Sequence, residues 1–71
     1  MFTKEALNRI GYRLLEVNRV EDALTAFELN TMRFPDSWNA WDSLAEAWMK
    51  QGDEARSRAY YRKAEELKGI G

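Results

Sequence analysis

The side chains that could carry out a reaction are Ser37, Ser43, Ser57, Thr3, Thr25 and Thr31, together with 12 carboxylates from Asp and Glu. The chain has no histidine and no cysteine, so no imidazole can activate a hydroxyl and no thiolate can attack. Zinc fingers, thiolate clusters and haem–histidine ligation are excluded for the same reason. The sequence contains neither a GxSxG elbow nor a glycine-rich phosphate loop. No segment spaces its carboxylates like a calcium-binding loop, and no carboxylate pair stands out for acid–base work. No enzyme activity, catalytic residue, metal site or cofactor is therefore expected. The chemistry left to this sequence is recognition.

Charge narrows the kind of partner. Eleven basic residues stand against 12 acidic ones, a net charge of -1, which leaves no electrostatic footprint for nucleic acid. No apolar run approaches the roughly 18–20 residues that span a bilayer, and the start MFTKEALNR lacks the apolar centre of a signal peptide. No membrane partner is expected, and the compartment is not legible. A protein or peptide is the remaining partner class.

The elements that must position these side chains are helices. With 71 residues the chain holds one domain, spanning 1–71, of which 45% is apolar. If compact it has a radius of gyration of roughly 11 Å. Leu7, Ile10, Gly11, Leu14 and Leu15 recur at helical spacing and predict a helix over about residues 4–17. Val20, Ala23, Leu24, Phe27 and Met32 predict a second over 20–33, closed by Phe34-Pro35. Trp41, Leu44, Ala45 and Trp48 predict a third over 38–50, with Asp36 or Ser37 as its cap and Gln51-Gly52 as its end. Asp53 caps a fourth over 54–67, which carries Ala59, Tyr60, Tyr61, Ala64 and Leu67 and stops at Lys68-Gly69. Asn18 with Glu21 has the spacing of a capping box for the second helix. Gly11, costly within a helix by about 1 kcal/mol, implies close approach of a neighbouring helix.

The chain repeats itself. A shift of 34 residues places Leu7 on Trp41, Ile10 on Leu44, Gly11 on Ala45, Leu14 on Trp48 and Phe27 on Tyr61, with Ala6 on Ala40 an identity. The third pair sets small on small, marking the same close approach twice. A helix pair cannot bury its stripe alone, but two stacked pairs can.

On these residues the chain resembles the tetratricopeptide repeat family, with units 4–37 and 38–71. The first unit carries Leu7, Ile10, Gly11, Leu14, Ala23, Phe27 and Pro35 at signature places. The second carries Trp41, Leu44, Ala45, Trp48, Gly52-Asp53, Tyr61, Ala64 and Leu67. Asn30 and Ser57 depart from the usual alanines, and Gly69 stands at the closing proline. The resemblance implies an all-α fold of four antiparallel helices, two tandem helix-turn-helix repeats forming a right-handed α-solenoid fragment. It also implies a concave groove presenting Glu5, Asn8, Tyr12, Leu15 and Glu16, then Asn39, Asp42, Glu46, Met49 and Lys50. That set is acidic and favours a weakly basic or mixed ligand, while the family's carboxylate clamp is missing, since Asn8 and Tyr12 stand where a lysine and an asparagine belong.

Residues 27–53 also resemble the C-terminal repeat tails of bacterial serine-hydrolase and beta-lactamase-like proteins. Trp41 and Trp48 read as packing, and Tyr61 as core. Trp38, Tyr60, Ala64 and Leu67 form an expected contact surface, because the ending GIG leaves no length for a polar cap. The expected function is a protein-interaction scaffold that self-associates through that uncapped apolar surface. Alternatives are a structural appendage packed on a parent hydrolase-like domain, or a designed scaffold for symmetric assembly.

Overall fold

Helix ends set the architecture, and they recur in register. In a computed structural model describing residues 3–70, the helices are α1 (Lys4–Glu16), α2 (Val20–Arg33), α3 (Trp38–Gln51) and α4 (Glu54–Ile70). Gly71, the last residue of the GIG ending, and the first two residues of the 1–71 domain lie outside the described residues. The Thr3 hydroxyl accepts from Ala6 N–H at 3.1 Å and opens α1; Ser37, 34 positions on, accepts from Ala40 N–H at 3.3 Å and opens α3. Each satisfies one amide that a helix start leaves without an intrahelical partner. Ser37 thus settles the choice left open with Asp36. Asp53 accepts from Arg56 N–H at 3.0 Å and caps α4 as expected.

The first helix of each pair also ends in the same way. Arg19 N–H bonds Leu14 C=O and Asn18 N–H bonds Leu15 C=O, while Asp53 N–H bonds Trp48 C=O and Gly52 N–H bonds Met49 C=O. Both pairs of bonds form a Schellman closure around a left-handed residue, Asn18 at φ 63° and Gly52 at φ 92°. The capping box expected from Asn18 and Glu21 is therefore not formed. Asn18 closes α1, and Arg19 precedes α2 without any side-chain cap. α4 does not stop at Lys68-Gly69 but continues to Ile70. No neighbouring atom lies near a Cβ built on Gly69, so nothing there requires glycine.

The helices pack in chain order, α1 on α2, α2 on α3 and α3 on α4, with a lighter contact from α1 to α3. The result is a slab of 34 × 31 × 15 Å with a radius of gyration of 11.3 Å. Its core lies between α2 and α3, where Ala23, Leu24, Phe27, Leu44 and Ala47 are buried. Tyr12, Leu14, Leu15, Val20, Trp41, Trp48 and Tyr60 close around it. Ile10 and Met32, expected on the apolar faces, are 38% and 77% exposed. An open stack leaves the outer sides of its first pair uncovered, which is why a helical stripe does not guarantee burial there.

Gly11 fixes the spacing of α1 and α2. A Cβ built on it would sit 2.7 Å from Cδ1 of Phe27 and closer still to the ring edge. Phe27 is fully buried, and Tyr12 meets its ring edge-on with centroids 5.1 Å apart. The ring has no free space into which to retreat. Gly11→Ala is expected to destabilise the fold by about 1–3 kcal/mol, overriding alanine's roughly 1 kcal/mol helix preference. Gly52→Ala meets no atom but forces alanine into the left-handed region, and is expected to cost about 1–2 kcal/mol. Urea unfolding of both variants checks these values.

Candidate functional site

The inward side of α1 carries two layers of polar groups. Asn8 and Tyr12, one turn apart, face α3 and join it. Ser43 Oγ donates to Asn8 Oδ1 at 2.6 Å, and Tyr12 Oη donates to Glu46 Oε1 at 2.9 Å. The Tyr12 and Ser43 oxygens are 3.1 Å apart, and a bond between them uses one hydroxyl's single hydrogen in place of its bond to Glu46 or Asn8. Ser43 is fully buried, so this network satisfies a group that would otherwise be costly to enclose. Burial pushes the Tyr12 phenol up to about 12, the Ser43 bond opposing and the Glu46 bond and the Glu46 and Asp42 charges adding to the rise. Tyr61 is raised by burial and then by the Asp42 and Glu46 charges.

Beside this network lies an open groove of about 680 Å³. α1 supplies Lys4, Glu5, Asn8, Arg9, Tyr12, Arg13 and Glu16, while α2 supplies Asn30 and α3 supplies Asn39 and Ala40. Of the ten expected groove residues, Glu5, Asn8, Tyr12, Glu16 and Asn39 are brought together here. Leu15 packs instead against the core, and Glu46 is engaged by Tyr12. Asp42 is half-buried on α3, and Met49 is 50% exposed. Lys50 belongs to a second depression with Asn18, Glu21 and Gln51.

The composition of the groove corrects its expected charge. Glu5 and Glu16 face Lys4, Arg9 and Arg13, so the lining is mixed with a slight positive excess rather than acidic. The sequence contained the signal: Glu5, Arg9, Arg13 and Glu16 follow one another at four- and three-residue steps along one helix face. Asn30 was noted only as a departure from alanine. It is 0% exposed; its Nδ2 donates to Lys4 C=O at 3.3 Å, while its Oδ1 has no partner among the described residues. A buried acceptor left unbonded costs about 1–3 kcal/mol, and native structures rarely retain one without a reason.

The expected contact surface fares differently. Ala64 is 2% exposed and is enclosed within the chain, so it is not available to a partner. Tyr60 is half-buried against Trp41 with ring centroids 5.7 Å apart, and Leu67 is half-buried as well. Trp38 remains 42% exposed, beneath Lys68 Nζ at 4.5 Å from its ring. Lys63 sits over Trp41 at 5.8 Å and Arg56 over Trp48 at 4.7 Å. Three cations of α4 thus roof three tryptophans of α3, each charged group set over an aromatic face. The outer side of α4 is Glu54, Arg58, Arg62, Glu65 and Glu66, all exposed. Between Glu54 and Glu66 that outer side is charged rather than apolar.

The raised Tyr12 phenol has a consequence for stability. The folded chain holds that proton more tightly than the unfolded chain, so its contribution is complete below pH 10 and is lost as pH rises toward 12. Tyr12→Phe is expected to cost about 1 kcal/mol at neutral pH and to flatten that alkaline decline. Thermal unfolding of both forms across this range checks the sign; Tyr61 retains its own smaller share in either form.

Among the described residues, no helix is long and apolar enough to cross a membrane. Comparison of the chain with protein-family models, with curated proteins and with solved structures finds no match in any of the three.

Proposed function

We propose that the chain is a protein-interaction module of the tetratricopeptide type, which binds rather than transforms its ligand and takes an extended peptide segment of mixed charge into the α1 groove. The observation that carries this reading is Asn30, fully buried at the groove with an Oδ1 that has no hydrogen-bond partner among the described residues. An N–H of an incoming backbone would supply the missing donor with a small opening of the groove floor. Glu5 and Glu16 would receive basic side chains, and Lys4, Arg9 and Arg13 acidic ones, so a segment carrying both signs matches the lining better than a uniformly charged one. The tetratricopeptide reading draws support from the caps, since Thr3 with Ser37 and Asn18 with Gly52 fall one 34-residue unit apart.

Amide chemical shifts test the reading directly. A pool of short mixed-charge peptides is expected to move the signals of Arg9, Arg13 and Asn30, and polyglutamate or polylysine peptides to move them less. Asn30→Ala is expected to weaken the tightest peptide about tenfold, the worth of one buried hydrogen bond of about 1–1.5 kcal/mol. Folding stability should change by less than about 1 kcal/mol, because removing the unpaired oxygen offsets the lost bond to Lys4. Absence of α1 shifts with all three probes, or unchanged binding by Asn30→Ala, would overturn the proposal.

A further inference from the structure

The two ends of the stack differ in character. At the α3/α4 end the positions equivalent to Val20, Leu24 and Thr31 are Glu54, Arg58 and Glu65, with Arg58 and Glu54 3.7 Å apart. Those charges close that end to apolar packing. The α1/α2 end is the reverse. Among the residues whose burial is described, the large apolar side chains left exposed are Ile10, Val17, Leu29, Met32, Trp38 and Met49, and none belongs to α4 between Glu54 and Gly69. Ile10 lies on α1 and Val17 immediately past its end, two turns further along, on the side opposite Asn8 and Tyr12, which bond α3. Leu29 lies on the side of α2 away from Leu24 and Phe27, which face the core. These three side chains form the outer face of the first helix pair and are 38%, 58% and 38% exposed.

The order of residues along α2 says what fits this face. Asp22, Ala26, Leu29 and Arg33 follow at steps of four, three and four, one stripe along the helix. The stripe reads acid, small, large, base, and is complementary to itself when reversed. Laid antiparallel on a second copy, Asp22 meets the partner's Arg33 and Ala26 receives the partner's Leu29, with both relations repeated across the dyad. Ala26 is small and only 9% exposed, so the partner's Leu29 rests over it without a steric clash rather than entering a socket. Asp22 is held by Arg19 at 2.9 Å, but both side chains are more than half exposed, and such a pair gives way readily. The charged α3/α4 end does not match this face, so head-to-tail growth is disfavoured and a closed pair results.

We infer that the chain forms a two-fold symmetric dimer through the outer face of α1 and α2, with α2 packed antiparallel on its copy and Ile10, Val17 and Leu29 enclosed between them. This surface is separate from the groove, so dimerisation and peptide binding stand or fall independently. Sedimentation equilibrium over a concentration series tests it. The expected result is a single monomer–dimer equilibrium reaching twice the 8.3 kDa chain mass. Leu29→Glu is expected to weaken the dimer by more than about tenfold while leaving the helical circular dichroism and groove binding intact. Asp22→Arg and Arg33→Asp should each weaken it, by setting like charges opposite one another, and the double exchange should restore it. A chain that stays monomeric at millimolar concentration, or that forms open-ended oligomers, overturns the inference. A dimer indifferent to Leu29→Glu overturns the face, and failure of the double exchange to restore association overturns the register.

Discussion

The contact between Gly11 and Phe27 governs the first half of the molecule. It lets α1 approach α2 to a distance that any side chain at position 11 would prevent. The buried ring then serves as the surface against which Tyr12 stands edge-on. With its ring so held, the Tyr12 hydroxyl reaches Glu46 and Ser43 on α3. The distance between α1 and α2 therefore decides whether α1 and α3 can share hydrogen bonds. The groove follows from the same restraint, since its main wall is the neighbouring face of α1.

The polar network between α1 and α3 explains why half of the expected groove is not a groove. Asn8, Tyr12 and Glu46, expected to line the groove, take part in the bonds that join α1 to α3. Two successive inward helices stand close enough to bond one another, so part of that face is used for joining the pairs. Ser43 is the pivot: it is fully buried, and without Asn8 and Tyr12 its hydroxyl would be an uncompensated polar group. What stays open to a ligand is the next strip of α1, with Arg9 and Arg13 between Glu5 and Glu16.

Helices were the most legible feature of the sequence, because period, proline and glycine all act locally. The starts of all four fall where spacing and caps place them, and the ends within a few residues. Asn18 was misread because asparagine serves both as a cap and as a left-handed closing residue; only the backbone angle separates the two. Ile10 was misread because a stripe reports which side of a helix is apolar and not how many neighbours cover it. The roofing of Trp38, Trp41 and Trp48 by Lys68, Lys63 and Arg56 was hidden for a related reason. A count of charges along α4 carries no trace of it, because the three charged groups lie over rings that α3 supplies. Pairings of that kind depend on the relative placement of two helices, which no single-helix pattern contains.

The halves share their backbone devices and diverge in their surfaces, and that divergence carries the information about recognition. Thr3 and Ser37, Asn18 and Gly52, and Gly11 and Ala45 keep one 34-residue step because each serves a bond or an approach internal to its own pair. Val20, Leu24 and Thr31 face α3 and are covered, so they are apolar or small; Glu54, Arg58 and Glu65 at the same step meet water and are charged or paired. Selection for solubility would act on the first half's outer face in the same way, but Ile10, Val17 and Leu29 remain apolar there. In the proposed dimer this contrast separates the end that meets solvent, along α4, from the end that meets a second copy of the chain.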